Sequence, residues 1–227
     1  MARRGSSQFA RQQGIWNTGS VNLPQIQPVN PTRIATPFDH SNFAFELKHD
    51  GFRAVAYFEN SKCELVSRKN IVYKSFTRLV SIMAKLPVKN AILDGELVCL
   101  DNDGRSIFLD LRRRHQDACF YAFDLLWLNG QDLRGLTLLE RKSRLGQLVR
   151  GRTGFLYAEH VLIKGKDLYQ VICREDLEGI VAKHKLAPYV TSPPTWFKIL
   201  NPDYTQKRGR REMFESFRER QPVAASR

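Results

Sequence analysis

The 227-residue chain carries 36 Lys and Arg against 23 Asp and Glu, a net charge of +13, with 42% hydrophobic and 11% aromatic residues. That length can bury a core for one large domain or two small lobes, and the apolar content excludes a chain that stays unfolded. The cationic surplus favours a polyanionic partner, most commonly a nucleic acid, through release of condensed counterions, although part of it lies in the terminal segments Ala2-Arg3-Arg4 and Lys207 to Arg211.

Residues 1–33, rich in Gln, Asn, Ser, Gly and Pro and without sustained periodicity, read as a flexible, extended leader. From Phe43 onward short apolar runs alternate with turns. The predicted strands are Phe43–Leu47, Arg53–Phe58, Cys63–Ser67, Ala91–Leu100, Ala118–Leu128, Phe155–His160, Gly179–His184 and Trp196–Ile199. Asp101-Asn102-Asp103-Gly104 and Asn129-Gly130 are turn signals between them. Helices are predicted over Tyr73–Leu86, whose Phe76, Leu79, Val80, Ile82 and Met83 share one face, and from the capping-box string Thr137-Leu138-Leu139-Glu140 to Val149. Shorter helices are expected over Asp167–Arg174 and Arg210–Glu219. Strands outnumber helices and the connections are too short for repeated parallel crossovers. The fold class is therefore α+β with largely antiparallel sheets flanked by helices. The expected division is a domain over 34–205, preceded by the leader and followed by a basic helix and tail over 206–227.

Cys63, Cys99, Cys119 and Cys173 are widely spread, without a spacing that reads as zinc or a redox pair. No apolar stretch is long enough to span a membrane, and the polar start Met1-Ala2-Arg3-Arg4 lacks a signal-peptide core. A reducing cytoplasm and no membrane partner are expected.

The chemistry is concentrated in six short strings. Glu46-Leu47-Lys48-His49-Asp50-Gly51-Phe52-Arg53 contains Lys-x-Asp-Gly-x-Arg; alone it reads equally well as a strand, a turn at Asp50-Gly51 and a second strand with solvated cations. Leu65-Val66-Ser67-Arg68 follows. Leu93-Asp94-Gly95-Glu96-Leu97 sets two acids in an apolar strand, where they are costly unless paired or bound to a metal; a β-bulge at Asp94-Gly95 is its ordinary structural meaning. Phe120-Tyr121-Ala122-Phe123-Asp124 is an aromatic strand that by itself reads as core. Leu177-Glu178-Gly179-Ile180-Val181-Ala182-Lys183 places an acid at the mouth of an apolar strand, and Trp196-Phe197-Lys198-Ile199-Leu200-Asn201-Pro202 closes the series.

In this order the six strings resemble the motifs of the covalent nucleotidyltransferases, which comprise ATP-dependent DNA ligases, RNA ligases and mRNA capping enzymes. The surrounding wording, such as Phe52-Arg53-Ala54 and Phe123-Asp124-Leu125-Leu126, is most similar to small bacterial end-joining ligases. The resemblance implies an ATP-grasp-like nucleotidyltransferase domain acting on ATP and Mg²⁺, with DNA as acceptor in strand repair. It implies Lys48 as the nucleophile that carries AMP, and Glu178 and Glu96 as the carboxylates serving metal and ribose. Arg53, Arg68 and Lys198 are implied as phosphate ligands and Phe123 as the ring that stacks on adenine, with Glu46, Leu47 and Lys183 also in the cofactor-binding set. His49 is expected to point away from the attacking side by strand alternation.

Two departures qualify the resemblance. The family's last motif is Lys-x-Lys, and here Leu200 holds the place of the second lysine, with Lys183 or Lys185 as candidates to reach in from the neighbouring strand. Family ligases usually continue into an OB-fold domain, whereas 25 residues follow Pro202, so a partner protein supplying that function is an expectation. The competing functions are an RNA ligase or capping-type enzyme, and a ligase-derived module that binds DNA without catalysis.

Overall fold

The computed structural model describes residues 23–112 and 118–206. Its strands run in chain order as β1 (Thr32–Arg33), β2 (His40–Leu47), β3 (Phe52–Glu59), β4 (Lys62–Ser67), β5 (Asn90–Val98), β6 (Cys119–Leu128), β7 (Gln131–Asp132), β8 (Phe155–Tyr157), β9 (His160–Ile163), β10 (Gly179–His184) and β11 (Trp196–Leu200). The helices are α1 (Thr77–Met83), α2 (Phe108–Arg112), α3 (Leu138–Val149) and α4 (Gly165–Arg174).

Two sheets result. One has the order β1-β11-β10-β2-β9, the other β4-β3-β5-β6-β7 with β8 added beside β6. All pairings are antiparallel except β1 with β11 and β6 with β8. Residue alternation along each strand explains the layers. In β3, Ala54, Ala56 and Phe58 face outward into a core shared with Leu79 and Met83 of α1 and Leu145 and Val149 of α3. Val55, on the opposite face, joins Ile92, Phe123, Tyr189 and Trp196 in a core between the sheets. On the outer face of the first sheet Phe45, Ile180, Ala182 and Ile199 pack with Ile172 of α4.

The capping box at Thr137 forms as the sequence requires. The Glu140 backbone donates to Thr137 Oγ1, and the Thr137 backbone donates to Glu140 Oε2 at 2.9 Å. An irregularity does fall at Asp94-Gly95, but the extra residue is on the facing strand: Asp94 pairs with Asp124 and Gly95 with Ala122, which leaves Phe123 of β6 between them. Other boundaries move. The helix predicted from Tyr73 begins only at Thr77, because Tyr73 is tied back to the β3–β4 hairpin through its amide to the Leu65 carbonyl. The single strand predicted over Phe155–His160 divides into β8 and β9, which belong to different sheets; the Ala158 amide donates to the Ala122 carbonyl where the chain crosses.

The leader boundary also needs correction. Within the described residues, 23–33 pack on the domain: Ile26 and Val29 are buried and their amides donate to the Tyr57 and Tyr189 hydroxyls at 2.9 and 3.1 Å. Two isolated apolar residues are too few to establish a strand or helix period, so local pattern alone misses them. The helix expected over Arg210–Glu219, residues 1–22 and most of the 206–227 tail lie outside the described residues. No helix among the described residues is long and apolar enough to cross a membrane.

One buried ion pair fastens α3 to the second sheet. Arg141 meets Asp124 of β6 through Nε–Oδ1 at 2.7 Å and Nη2–Oδ2 at 2.9 Å, with both side chains fully buried. Its Nη1 donates to the carbonyls of Leu136 and Ala187. Removing one member leaves the other charge buried and unpaired, so Arg141→Met is expected to cost about 3–5 kcal/mol in denaturant unfolding. The double change Arg141→Met with Asp124→Leu should recover much of that; a double variant as unstable as the single one would contradict the account.

Candidate active site

A cleft of about 500 Å³ is bordered by both sheets, within the size range of small-molecule sites. Lys48 follows the end of β2, and its amide donates to the Gly179 carbonyl at 2.9 Å. Glycine is required at 179: a Cβ there would lie 2.2 Å from the Ile199 carbonyl oxygen. This close approach of β2, β10 and β11 brings the side chain of Lys48 to that of Glu178, with Nζ donating to Oε2 at 2.6 Å. The chain then turns through Asp50 and Gly51 into the second sheet. A Cβ on Gly51 would fall 2.2 Å from the Leu97 carbonyl oxygen, so the turn can lie against β5 only without a side chain.

The opposite wall carries Glu96 on β5 and Arg68 just past β4. Burial, the largest influence, raises the Glu96 pKa to about 7; Lys48, Arg53 and Arg68 oppose the shift, and the like charge of Glu178 adds to it. Lys198 on β11 is lowered from the ordinary lysine value, first by burial and then by Lys48 and Arg68, against Glu178. Thus two acids and several cations share one partly dry space.

All the residues expected at the site border this cleft: Lys48 and Glu178, then Glu46, Leu47, Arg53, Arg68, Glu96, Phe123, Lys183 and Lys198. Their side chains do not all turn to it alike. Arg53 departs from the phosphate role expected of it: Nε and Nη2 are engaged with Asp94 at 2.7 and 2.6 Å, and Nη2 also donates to the Val29 carbonyl at 3.3 Å. Burial of Asp94 demands that partner. Glu46 is buried between Lys142 at 2.6 Å and Lys183 at 2.7 Å. Burial is the largest single influence on Glu46 and raises its pKa, but the charges and hydrogen bonds of the two lysines together outweigh it and hold the pKa below its usual value. Burial takes Lys183 down to about 8, opposed by Glu46, and its ammonium lies 4.3 Å from the Phe123 ring centre and 4.0 Å from that of Trp196. Phe123 is largely core, 9% exposed, with the Arg53 guanidinium 4.5 Å above its ring centre.

Leu200 also borders the cleft. Neither proposed replacement reaches it. Lys183 pairs with Trp196 while Gly179 pairs with Leu200, an offset of four residues or roughly 13 Å along the strand; Lys185 is not among the bordering residues. His49 also borders the cleft, but its Nδ1 lies 2.7 Å from Ser106 Oγ. Burial, helped by Lys48, pushes its pKa down to about 4, leaving the ring neutral at pH 7. The alternation argument lapses at His49 because β2 ends at Leu47.

Sequence reasoning missed Asn30, Pro31, Tyr121 and Trp196 as cleft residues. Asn30 and Pro31 fall within the segment that reads as a leader, and the anchors just before them, Ile26 and Val29, leave no local trace. Tyr121 and Trp196 sit inside strings already singled out, two residues from Phe123 and Lys198, where strand alternation turns them to the same face.

Residues 26–199 match the family described as the ATP dependent DNA ligase domain. The multifunctional non-homologous end joining protein LigD of Pseudomonas aeruginosa is 29% identical over 208 residues, 87% of this chain and 24% of that protein. The SPbeta prophage-derived DNA ligase-like protein LigB of Bacillus subtilis is 27% identical over 190 residues, covering 80% and 69% of the two chains. Among solved structures, mycobacterial DNA ligase D complexed with ATP and MES superposes with a TM-score of 0.64 at 26% identity, covering 75% of this chain and 60% of that one. The chain therefore spans about a quarter of the Pseudomonas relative's length. With well over half of its residues inside the family match, this chain belongs to the ATP-dependent DNA ligase domain family.

Proposed function

We propose that the protein takes AMP from ATP onto Lys48 and passes it to the 5′-phosphate of a DNA strand, which is then joined. The observation that carries this reading is the Lys48 amine held 2.6 Å from Glu178 in a cleft that Glu96, Arg68 and Lys198 also border. In the first step the Lys48 Nζ–Pα bond forms as the bond from Pα to the bridging oxygen of pyrophosphate breaks. The Nζ proton must leave before attack, and Glu178 Oε2 lies within hydrogen-bonding distance of it. Arg68 and Lys198 neutralise charge gathering on the phosphates. In the second step an oxygen of the DNA 5′-phosphate attacks the same phosphorus and the N–P bond breaks. In the third the adjoining 3′-hydroxyl attacks the 5′-phosphate and AMP departs.

The donor set suits Mg²⁺. This ion usually takes one or two carboxylates plus substrate phosphates rather than an all-protein cage. Glu96 and Glu178 border one cleft, and no larger group of His, Cys, Asp and Glu suited to a metal occurs among the described residues. Burial above all, with the like charge of Glu178 adding to it, raises the Glu96 pKa, and a cation held between the two acids would offset both effects. When bound, the ion would draw negative charge off the phosphates. Leu47, the buried Glu46–Lys183 pair and Phe123 shape the base end. The net charge of +13 suits DNA as partner, and four free cysteines suit a reducing cytoplasm.

Incubation of the protein with α-labelled ATP and Mg²⁺ should place an acid-labile label on Lys48. Lys48→Ala should carry none, and label from GTP instead of ATP would move the assignment to a capping-type reaction. No label, with nicked DNA still bound, would support the non-catalytic module. Leu200→Lys should raise the labelling rate, by up to roughly a hundredfold if a missing charge at the α-phosphate limits it. An unchanged rate would show that another cation already serves there.

A pH series tests Glu96. Its folded pKa lies above the ordinary value, so its contribution to stability is fully present below pH 4.5 and is lost as pH rises through about 7. Glu96→Gln should therefore raise the melting temperature of the ligand-free protein by a few degrees at pH 8 and leave it nearly unchanged near pH 4.5. Labelling should show the opposite preference and decline from pH 8 to pH 6 as Glu96 takes up its proton. A melting temperature equally raised at both pH values would remove Glu96 as the titrating group.

A further inference from the structure

β1 is the edge strand of the sheet that carries Lys48, Glu178 and Lys198. It pairs in parallel with β11, Arg33 in register with Lys198, and the Ile34 amide donates to the Lys198 carbonyl at 3.1 Å. In-register neighbours project to the same face, their backbones about 4.8 Å apart. The next residue fixes which face: Ile34 packs into the outer core with Phe45 and Ile199, so Arg33 projects to the cleft side. Across that face the register runs Arg33, Lys198, Val181, Glu46. Arg33 is not itself among the residues bordering the cleft, but Asn30 and Pro31 just before it are, so the edge strand leaves the cleft at its rim.

The charges at this edge are unbalanced. Burial lowers Lys198 most, and Lys48, Arg68 and Arg33 all press on it in the same direction. Glu178 is already 2.6 Å from Lys48, and among the described residues no ion pair engages Arg33, Arg68 or Lys198. Glu178 also acts on Lys198 but is shared with Lys48, so cations outnumber acids at this edge and a ligand is left to supply the remaining negative charge. On β11 the cleft-facing position after Lys198 is Leu200, so the nearest added cation on that flank comes from the edge strand.

We infer that Arg33 grips the β- and γ-phosphates of the bound nucleoside triphosphate, and the pyrophosphate that leaves. This rests on the lysyl-nucleotide reading above and adds to it. Attack by Lys48 fixes Pα beside β2, and the remaining phosphates extend toward Lys198 and the β1 edge. A guanidinium on an exposed edge can offer two parallel donors to phosphate oxygens, which an ammonium cannot.

The test uses the full chain as wild type, Arg33→Gln and Arg33→Lys. Arg33→Gln should raise the ATP concentration for half-maximal labelling roughly tenfold, and the pyrophosphate needed to strip label by a similar factor. Arg33→Lys should restore part of both. Transfer of AMP from protein already labelled to nicked DNA should change little, since that step involves neither phosphate. Unaltered ATP and pyrophosphate dependence in Arg33→Gln would overturn the assignment. Calorimetry with tripolyphosphate separates this inference from the reading beneath it. Roughly tenfold weaker binding in Arg33→Gln, with a wild type that never labels, would retain Arg33 as a polyphosphate ligand and sink the lysyl-nucleotide reaction; equal affinity would sink the role of Arg33.

Discussion

The contact between Lys48 and Glu178 depends on strand pairing rather than on proximity in sequence. The two residues are 130 positions apart and meet because β2 and β10 lie side by side, Leu47 opposite Ile180. The glycine at 179 lets β11 close on the same point. Everything else at the site is arranged around this junction. Lys198 arrives on β11, while Glu96 and Arg68 arrive from the facing sheet. A one-residue slip of β10 against β2 would turn Val181 and Lys183 to the outer core and dismantle the cleft face.

Beneath the junction lies a floor of buried charge. Asp94 is held by Arg53 and accepts from the Tyr189 hydroxyl at 2.6 Å, Asp124 is held by Arg141, and Glu46 by two lysines. Such groups are costly to desolvate, and a hydrophobic replacement would serve stability as well or better. What they provide is fixed donors and acceptors in a wall that also presents Phe123 and Trp196. Strands from both sheets and helix α3 contribute partners, so the network ties the layers together where the cleft needs a rigid lining.

Much of this was legible in the chain. Short apolar runs bounded by turn residues located most strands, because the central ones are buried on both faces, and the Thr137–Glu140 cap named the start of α3. The six strings named the residues that meet at the cleft, since their spacing records where each strand enters. The rest depends on tertiary partners that leave little local trace. Arg53 looks like a phosphate ligand until Asp94 is placed beside it, and Lys183 like a spare cation until Glu46 is. The segment before β1 reads as a tether because its anchors, Ile26 and Val29, are satisfied by hydroxyls 31 and 160 positions away.

The turn from β2 to β3 has a mechanical meaning. β2 belongs to one sheet and β3 to the other, and Lys48 stands on the short span that joins them. Glu178 moves with the first sheet and Glu96 with the second. Any flexing of the angle between the sheets therefore alters the amine's separation from the two acids together. Lys48 is thus mounted where the two sheets join, and its distance to each acid is set by the angle between them.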